Sequence, residues 1–420
     1  MKKIIILFIV VLNCHFSIGY AQLTIESCQE KAKNNYPLVK QYGLIEQTKE
    51  YNLSNANKGY LPQFTLSGKA TYQSEVTKIP VTIPGVTIKG LNKDQYQSVL
   101  EMNQTIWDGG VIQSQKQLTK IGSEVEKQKN DVDLYTIKDR VNQLYFGILL
   151  FEEQLIQNSL LQKELTRNYN QIATYMDNGI ANQADLDAIK VEQLNAVQRK
   201  TEIDSSRKAY RQMLSALIGE EITEGTTLIK PDTNLQLQSS TINRPELQWY
   251  EAQYNNLEIQ KKLLNAKNMP KLGLFVQGGY SNPGLNMLKS EFSAYYVGGV
   301  RLSWNFGGFY TIKNDRKQIE ASKSKLKTLE ETFLFNTNLQ ITQQNSEIEK
   351  LSDLMKHDDE IITLRDNIKK SAEAKVENGT LSVTELLREI NAGDQVRQTK
   401  TLHQIQLMMA IYNLKNTTNN

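Results

Sequence analysis

The chain has 420 residues, 39% hydrophobic and 23% charged, with a formal charge of +3 and only 8 prolines. That length allows two or three ordinary domains, and scarce proline favours long uninterrupted elements over loops. The near-balanced charge offers no basic surface for nucleic acid, and the longest apolar run beyond the N-terminus, residues 145–151, falls far short of the ~18 residues of a membrane-crossing helix.

In chain order, Lys2 and Lys3, the apolar run 4–12 and Gly19-Tyr20-Ala21 have the layout of a secretory signal cleaved after Ala21. As a helix the run would reach only ~14 Å, too short to span a bilayer. Lipid attachment at Cys14 is the alternative, but Leu12-Asn13 lacks the small residues expected before a lipidated cysteine. Losing residues 1–21 removes Lys2 and Lys3 and takes the charge from +3 to +1; it also leaves Cys28 with no cysteine to pair with.

Residues 24–58 read as a helix that Pro62 stops. Over 62–107 the pattern switches to period two. Phe64, Leu66, Gly68, Ala70 and Tyr72 share a face opposite Thr65, Ser67, Lys69 and Thr71. Tyr96, Leu100, Met102 and Ile106 likewise oppose Gln97, Glu101, Asn103 and Thr105. Asp108-Gly109 then supplies a cap-like helix start. Residues 111–177 are 67 positions, about 100 Å of helix. In it Leu134, Ile137, Val141, Leu144, Ile148, Phe151 and Leu155 alternate spacings of three and four, a coiled-coil seam. Asn178-Gly179 marks a reversal, helix 184–218 returns, and the polar stretch 219–243 reads as a linker or lateral belt.

The same order then recurs. Arg244-Pro245-Glu246-Leu247 opens helix 244–268, with proline and an acid in the first turn where both are favoured. A strand pair covers 270–306: Leu272, Leu274, Val276 and Tyr280 oppose Gln277, while Arg301 and Ser303 point away from Tyr296, Leu302 and Trp304. Helix 310–377 keeps a seven-residue register through Ile341, Ile348, Leu351, Met355 and Ile362, Asn378-Gly379 repeats the reversal, and helix 383–412 follows. Residues 413–420 read as a disordered tail. Offsets of 208 at Pro62 and Pro270, 198 at the double glycines and 200 at the Asn-Gly pairs divide the mature chain into repeats at 22–243 and 244–412.

Strands of ~12 residues reach ~40 Å and, tilted near 45°, cover about 28 Å, close to a hydrocarbon core. Tyr60, Tyr72, Tyr96, Trp107, Tyr280, Tyr295, Tyr296 and Trp304 gather near strand ends, as an aromatic girdle would. Alternation alone also fits a half-buried soluble sheet, and the helices alone fit a solvated antiparallel coiled coil. If a membrane barrel forms, four strands cannot close it; three copies give about twelve strands, enough for an open lumen. Lys69, Glu101 and Arg301 then face that lumen, because such groups are costly in a packed interior and tolerable beside water.

Taken together, the Pro62 and Pro270 strand openings, the two Gly-Gly exits, the helix end "LSALIG" at 214–219, "RPEL" at Arg244 and the twin Asn-Gly turns followed by acids resemble the TolC-like outer-membrane efflux protein family over essentially the whole mature chain. The resemblance implies a mainly α fold with a β part: long coiled-coil helices forming a periplasmic α-barrel, and four antiparallel strands per chain entering a homotrimeric twelve-stranded β-barrel. It implies a passive exit duct in the outer membrane of a Gram-negative envelope, with a large periplasmic part. Its partners would be outer-membrane lipid, a periplasmic adaptor and an inner-membrane pump of the RND or ABC type. Carried over residue by residue, Gly179, Ile180, Ala181, Gly379, Thr380 and Leu381 become adaptor-contact tips, and Asp185 and Glu385 line a periplasmic aperture. The alternative for both acids is a place in a helix's first turn, favourable to its dipole. A second aperture acid of the family is Arg388 here, and the Tyr and Arg that hold the mouth shut fall on Val376 and Leu381, so a different closing network is expected.

No catalytic, cofactor or metal constellation stands out. His357 and His403 sit singly on helical stretches and read as solvated surface; Gly278-Gly279 lies within a strand, not in a phosphate loop. The competing class is a periplasmic adaptor without its own barrel, which would show one helical hairpin rather than two.

Overall fold

The computed structural model describes residues 22–77, 90–232 and 241–419; the expected signal segment, Cys14 and part of the 77–94 connection lie outside them. The chain forms two compact units, one of Lys40–Lys129 with Glu246–Glu331, the other of the segment ending at Val39 with Asn130–Pro245 and Thr332–Asn420.

The first unit holds a four-stranded antiparallel sheet of β2 (Gln63–Tyr72), β3 (Asp94–Trp107), β5 (Lys271–Asn282) and β6 (Ser293–Ser303), in that spatial order. The register pairs Leu66 with Leu100, Met102 with Val276 and Leu274 with Val300. Every apolar residue singled out by alternation therefore falls on one face. That face is open: Leu66 is 73% exposed, Tyr72 76%, Tyr296 83% and Leu302 70%. Lys69, Glu101 and Arg301 all lie on the other face, since Glu101 pairs with Thr65 and Gln277 and Arg301 with Gly273. The outer edges of β2 and β6 have no strand beside them among the described residues, so each presents an unpaired row of backbone groups. Helix α2 (Lys40–Lys58) and most of α6 (Pro245–Lys267) belong to this unit, and Lys323 of the long helix α7 (Ile312–Glu377) meets Glu258 of α6 within it.

The second unit is helical. Thr24 caps α1 (Ile25–Asn35) by accepting from the Ser27 amide. The helix expected over 24–58 is interrupted: Tyr36 is extended at φ −67 and ψ 134 before Pro37, because proline excludes the α conformation of the residue before it. The long helix expected over 111–177 is likewise two helices, α3 (Val111–Tyr135), which belongs to the sheet unit as far as Lys129, and α4 (Ile137–Asp177). At the joint the Thr136 hydroxyl donates to the Asp133 carbonyl at 2.8 Å, competing with the regular helical ladder. Along α4 the seam residues Val141, Leu144 and Ile148 are buried together with Tyr145 and Phe146. The Tyr145 hydroxyl donates at 2.7 Å toward the carbonyls of both Leu23 and Ile229, tying α4 to a small parallel pair of β1 (Gln22–Leu23) and β4 (Thr227–Leu228). Ile348 and Leu351 of α7 pack with Leu407, Ala410, Ile411 and Leu414 of α8 (Val383–Thr418), alongside Ile341 and Met355.

The tail expected at 413–420 is helical instead. Helix α8 runs to Thr418, with Leu414, Asn416, Thr417 and Thr418 buried. Tyr135 donates to the Asn416 carbonyl at 2.5 Å, and the Asn416 amide reaches Asp139. These partners, 277 and more residues away, order a segment that looks too polar to fold. Among the described residues no helix is long and apolar enough to cross a membrane.

Candidate functional site

The sequence points to two places, the helix reversals of the helical unit and the polar face of the sheet. At the first reversal α4 ends in a left-handed glycine, Gly179 at φ +72. The Gly179 amide donates to Met176 at 3.0 Å and the Ile180 amide to Tyr175 at 2.8 Å. Gly379, at φ +65, repeats this: its amide donates to Val376 at 2.9 Å and that of Thr380 to Lys375 at 2.9 Å. This pair of bonds closes the orphan carbonyls of a helix end, and its left-handed residue suits glycine. The side-chain amides of Asn178 and Asn378 add bonds to Thr174 at 2.9 Å and Ala374 at 2.7 Å. Gly179, Ile180, Gly379 and Thr380 are exposed; Ala181 and Leu381 are half-buried against the core beneath.

The next helices start with matching caps. Asn182 accepts from the Asp185 amide at 3.2 Å and gives its own amide to the Asp185 carboxylate at 3.0 Å, opening α5 (Gln183–Ile218). Ser382 does the same with Glu385, at 3.2 Å in each direction, and its hydroxyl adds a 2.9 Å bond to that carboxylate. Asp185 and Glu385 thus close capping boxes. The Ser382 amide and hydroxyl hold the Glu385 carboxyl below its ordinary range, with Arg388 adding a smaller pull. Arg388 itself is 74% exposed and lies 3.6 Å from Glu389.

Beneath both turns the four helix ends share one core: Leu165, Ile172, Leu186 and Ile189 with Ala372, Val376, Leu386 and Ile390. Val376, 4% exposed, and Leu381 belong to this apolar packing, not to a polar latch. Ion pairs between the hairpins flank it: Arg167 to Glu373 and Lys369 to Glu164, each at 2.5 Å, and Arg199 to Asp394 at 3.3 Å. Burial pushes the Asp394 carboxyl up, partly offset by Arg199. Partners some 200 residues apart leave no local spacing signal for these pairs in the sequence. His403, expected as a lone surface residue, instead lies 2.9 Å from the buried Asp358 of α7.

On the sheet, Arg301 bonds Glu101 at 3.1 Å and Asn103 at 3.3 Å while lying over the Phe275 ring at 4.5 Å. Lys69 does not join this cluster. It lies across from Gln97, beside an open pocket that Gln95, Ser281 and Tyr295 also line. The sheet therefore has one mainly apolar face, interrupted by Ser98 and Gln104, and an opposite face where Lys69, Glu101, Asn103 and Arg301 lie among Val99, Phe275 and Val297.

Residues 29–220 match the sequence model described as outer membrane efflux protein. No curated protein matches the chain significantly in sequence. Solved structures share its fold. The Vibrio cholerae outer membrane protein VceC aligns over 94% of both chains at 12% identity, with a TM-score of 0.64. The open-state Neisseria gonorrhoeae MtrE outer membrane channel aligns over 94% of this chain and 89% of its own at 12% identity, with a TM-score of 0.65. The Campylobacter jejuni CmeC outer membrane channel aligns over 94% and 85% at 13% identity, with a TM-score of 0.62.

Proposed function

We propose, for a chain whose residues 29–220 belong to the outer membrane efflux protein family, that it is the passive exit duct of a tripartite efflux or type I secretion system in the outer membrane. The observation that carries this reading is the sheet. Four strands of 10, 14, 12 and 11 residues expose a mainly apolar face and, among the described residues, two open edges. A soluble protein would cover such a face, whereas lipid solvates it, and pairing edge to edge with copies removes the edges. Three chains then supply about twelve strands and a water-filled bore, into which Lys69, Glu101 and Arg301 project. The neighbours' TolC-like fold supports the same assignment. A lone adaptor hairpin accounts for neither the two reversals nor the sheet.

In this reading the glycine turns ring the periplasmic mouth, and Gly179, Ile180, Ala181, Gly379, Thr380 and Leu381 are the surface an adaptor's hairpin ends would touch. An inner-membrane pump, RND-type or ABC-type, supplies energy and substrate choice. Asp185, Glu385 and Arg388 lie at the aperture, where acids would favour cations in a narrow throat; because both acids also cap helices, their charge is held in place. The proposal is tested by purifying the protein from outer membranes in detergent. It requires a heat-modifiable trimer that forms discrete channels in planar bilayers; a soluble periplasmic monomer without conductance would exclude it.

A further inference from the structure

An open pocket of about 260 Å³ lies on the face of the sheet that carries Lys69 and Arg301. It sits at the end remote from the helices, since α2 leads into the start of β2 and α3 follows the end of β3. The strands contribute Lys69, Gln95, Gln97 and Tyr295 to it, and the loop after β5 contributes Leu285 and Met287.

Local chemistry shapes the pocket. Gly279 has no side chain, and the Tyr295 ring takes that space: a Cβ built on Gly279 would collide with it. The ring is thereby laid toward Gln97, whose side-chain amide donates to the Tyr295 oxygen at 2.8 Å. The Ser281 hydroxyl donates to the Pro283 carbonyl at 2.7 Å and draws the start of the loop back onto the strand. Gly284 completes the fold-back, because any Cβ there would strike the Ser293 hydroxyl.

What the pocket keeps unspent are donors. Tyr295, having accepted from Gln97, still has its O–H to give. Gln73 donates to the Gln95 side-chain oxygen at 3.1 Å, which leaves the Gln95 NH₂ to donate in turn. Among the described residues Lys69 has no ion pair or hydrogen bond, and no carboxylate lines the pocket. Arg301, farther along the same face, is neutralised by Glu101 at 3.1 Å. A free ammonium with neutral donors and no acid beside it attracts an anion and repels a cation. Leu285 and Met287, 61% and 62% exposed, offer apolar contact to whatever carries that anion.

We propose that this pocket binds the carboxylate end of an amphipathic organic anion, a resting place for such solutes at the outer end of the bore. Membrane lipid is not the source, because the pocket lies on the face opposite Leu66, Tyr72 and Tyr296. A site on an exit path must also release what it holds, and a ligand of about twelve non-hydrogen atoms reaches only millimolar affinity. The inference rests on the channel reading for the pocket's place on the exit path and adds a class of solute to it.

The test uses the full-length protein in detergent and 4-phenylbutyrate as probe, with binding followed by ligand-observed NMR against protein-free micelles. A millimolar dissociation constant is expected, weakened roughly five-fold or more in Lys69→Gln and restored in Lys69→Arg. Tyr295→Phe should weaken it about two- to ten-fold. Lys271→Gln, on the same face at the other end of β5, should bind like the unsubstituted chain. The uncharged 4-phenylbutanamide, and acetate, which lacks the apolar body, should each bind roughly five-fold more weakly or worse. In planar bilayers 4-phenylbutyrate should reduce the single-channel current of the unsubstituted chain and not that of Lys69→Gln. Equal binding of acid and amide, or an unchanged constant in Lys69→Gln, would overturn the site and leave the channel reading standing. Lys69-dependent binding with no effect on the current would remove the pocket from the exit path. Lys69-dependent binding by a protein that forms no channels would keep the site and overturn the channel reading.

Discussion

Gly379→Ala isolates backbone strain at a reversal. A Cβ built on Gly379 meets nothing within 4 Å, so the substitution adds no clash, and its cost is that of placing an L-residue at φ +65. That cost is about 1–2 kcal/mol, which corresponds to a roughly 5- to 30-fold increase in local opening of the turn. Gly179→Ala, also in open space at φ +72, should behave alike. Gly122→Ala is the control: it too meets nothing within 4 Å but sits inside α3 at an ordinary helical φ, where alanine should stabilise by up to about 1 kcal/mol. The assay is hydrogen exchange followed at the Ile180 and Thr380 amides, whose bonds to Tyr175 and Lys375 define the turns. Asparagine, which tolerates the left-handed region, should recover part of the loss. Unchanged exchange in both reversal variants, or equal destabilisation by Gly122→Ala, would refute the reasoning.

Arg211, 7% exposed at its side chain, bonds Glu152 at 2.5 Å and the carbonyls of Thr223 and Thr226; Arg211→Met should destabilise by about 3 kcal/mol, read as a lowered denaturation midpoint. Tyr145→Phe removes the hydroxyl donor from the Ile229 carbonyl and leaves the Leu23 carbonyl only the Ile229 amide; it should cost about 1–3 kcal/mol in the same assay. Leu66→Arg on the apolar sheet face should weaken insertion into lipid vesicles by about 2–4 kcal/mol, while an equal effect of Thr65→Arg on the opposite face would contradict the assignment of faces. Glu385→Ala should fray the start of α8 and, in the proposed aperture, raise single-channel conductance; an unaltered conductance removes it from the throat. Because the folded Glu385 carboxyl titrates below its ordinary value, its stabilisation is complete above the unfolded pKa of ~4.3 and is lost as pH falls through the lower folded value. The acid sensitivity of the α8 start should therefore disappear in Glu385→Gln.

The strand faces were legible because they depend on period two alone. Phe64 through Tyr72 alternate without exception, and the irregularity at Thr105/Trp107 comes only at the end of β3. The reversals were legible from Asn-Gly, and the Ser382–Glu385 box carries a plain capping spacing. What the sequence hid were features held by distant partners. The α3–α4 joint falls at Thr136, a residue ordinary in any helix, with only its bond to the Asp133 carbonyl to mark it. The order of residues 413–418 depends on Tyr135 and Asp139, and the place of His403 depends on Asp358. Polar residues look alike in a solvated tail and in a buried contact until the second partner is placed.

The two helices that lead into the reversals, α4 and α7, have unlike surroundings. Helix α4 is packed from several sides: Val141, Tyr145, Ile148, Leu165 and Ile172 are all no more than 1% exposed. Helix α7, 66 residues long, leaves Phe335, Leu339, Leu354, Ile361, Leu364 and Ile368 between 42% and 63% exposed. Long helices take most of their stability from packing an apolar face, and burying each such side chain fully is worth about 1.5–3 kcal/mol. A lone chain forgoes that contribution along α7 while its sheet leaves a bare face and two open edges. Lipid can cover the sheet face but offers nothing to the sheet edges. The trimer proposed above pairs those edges, so folding of the sheet and assembly should be coupled.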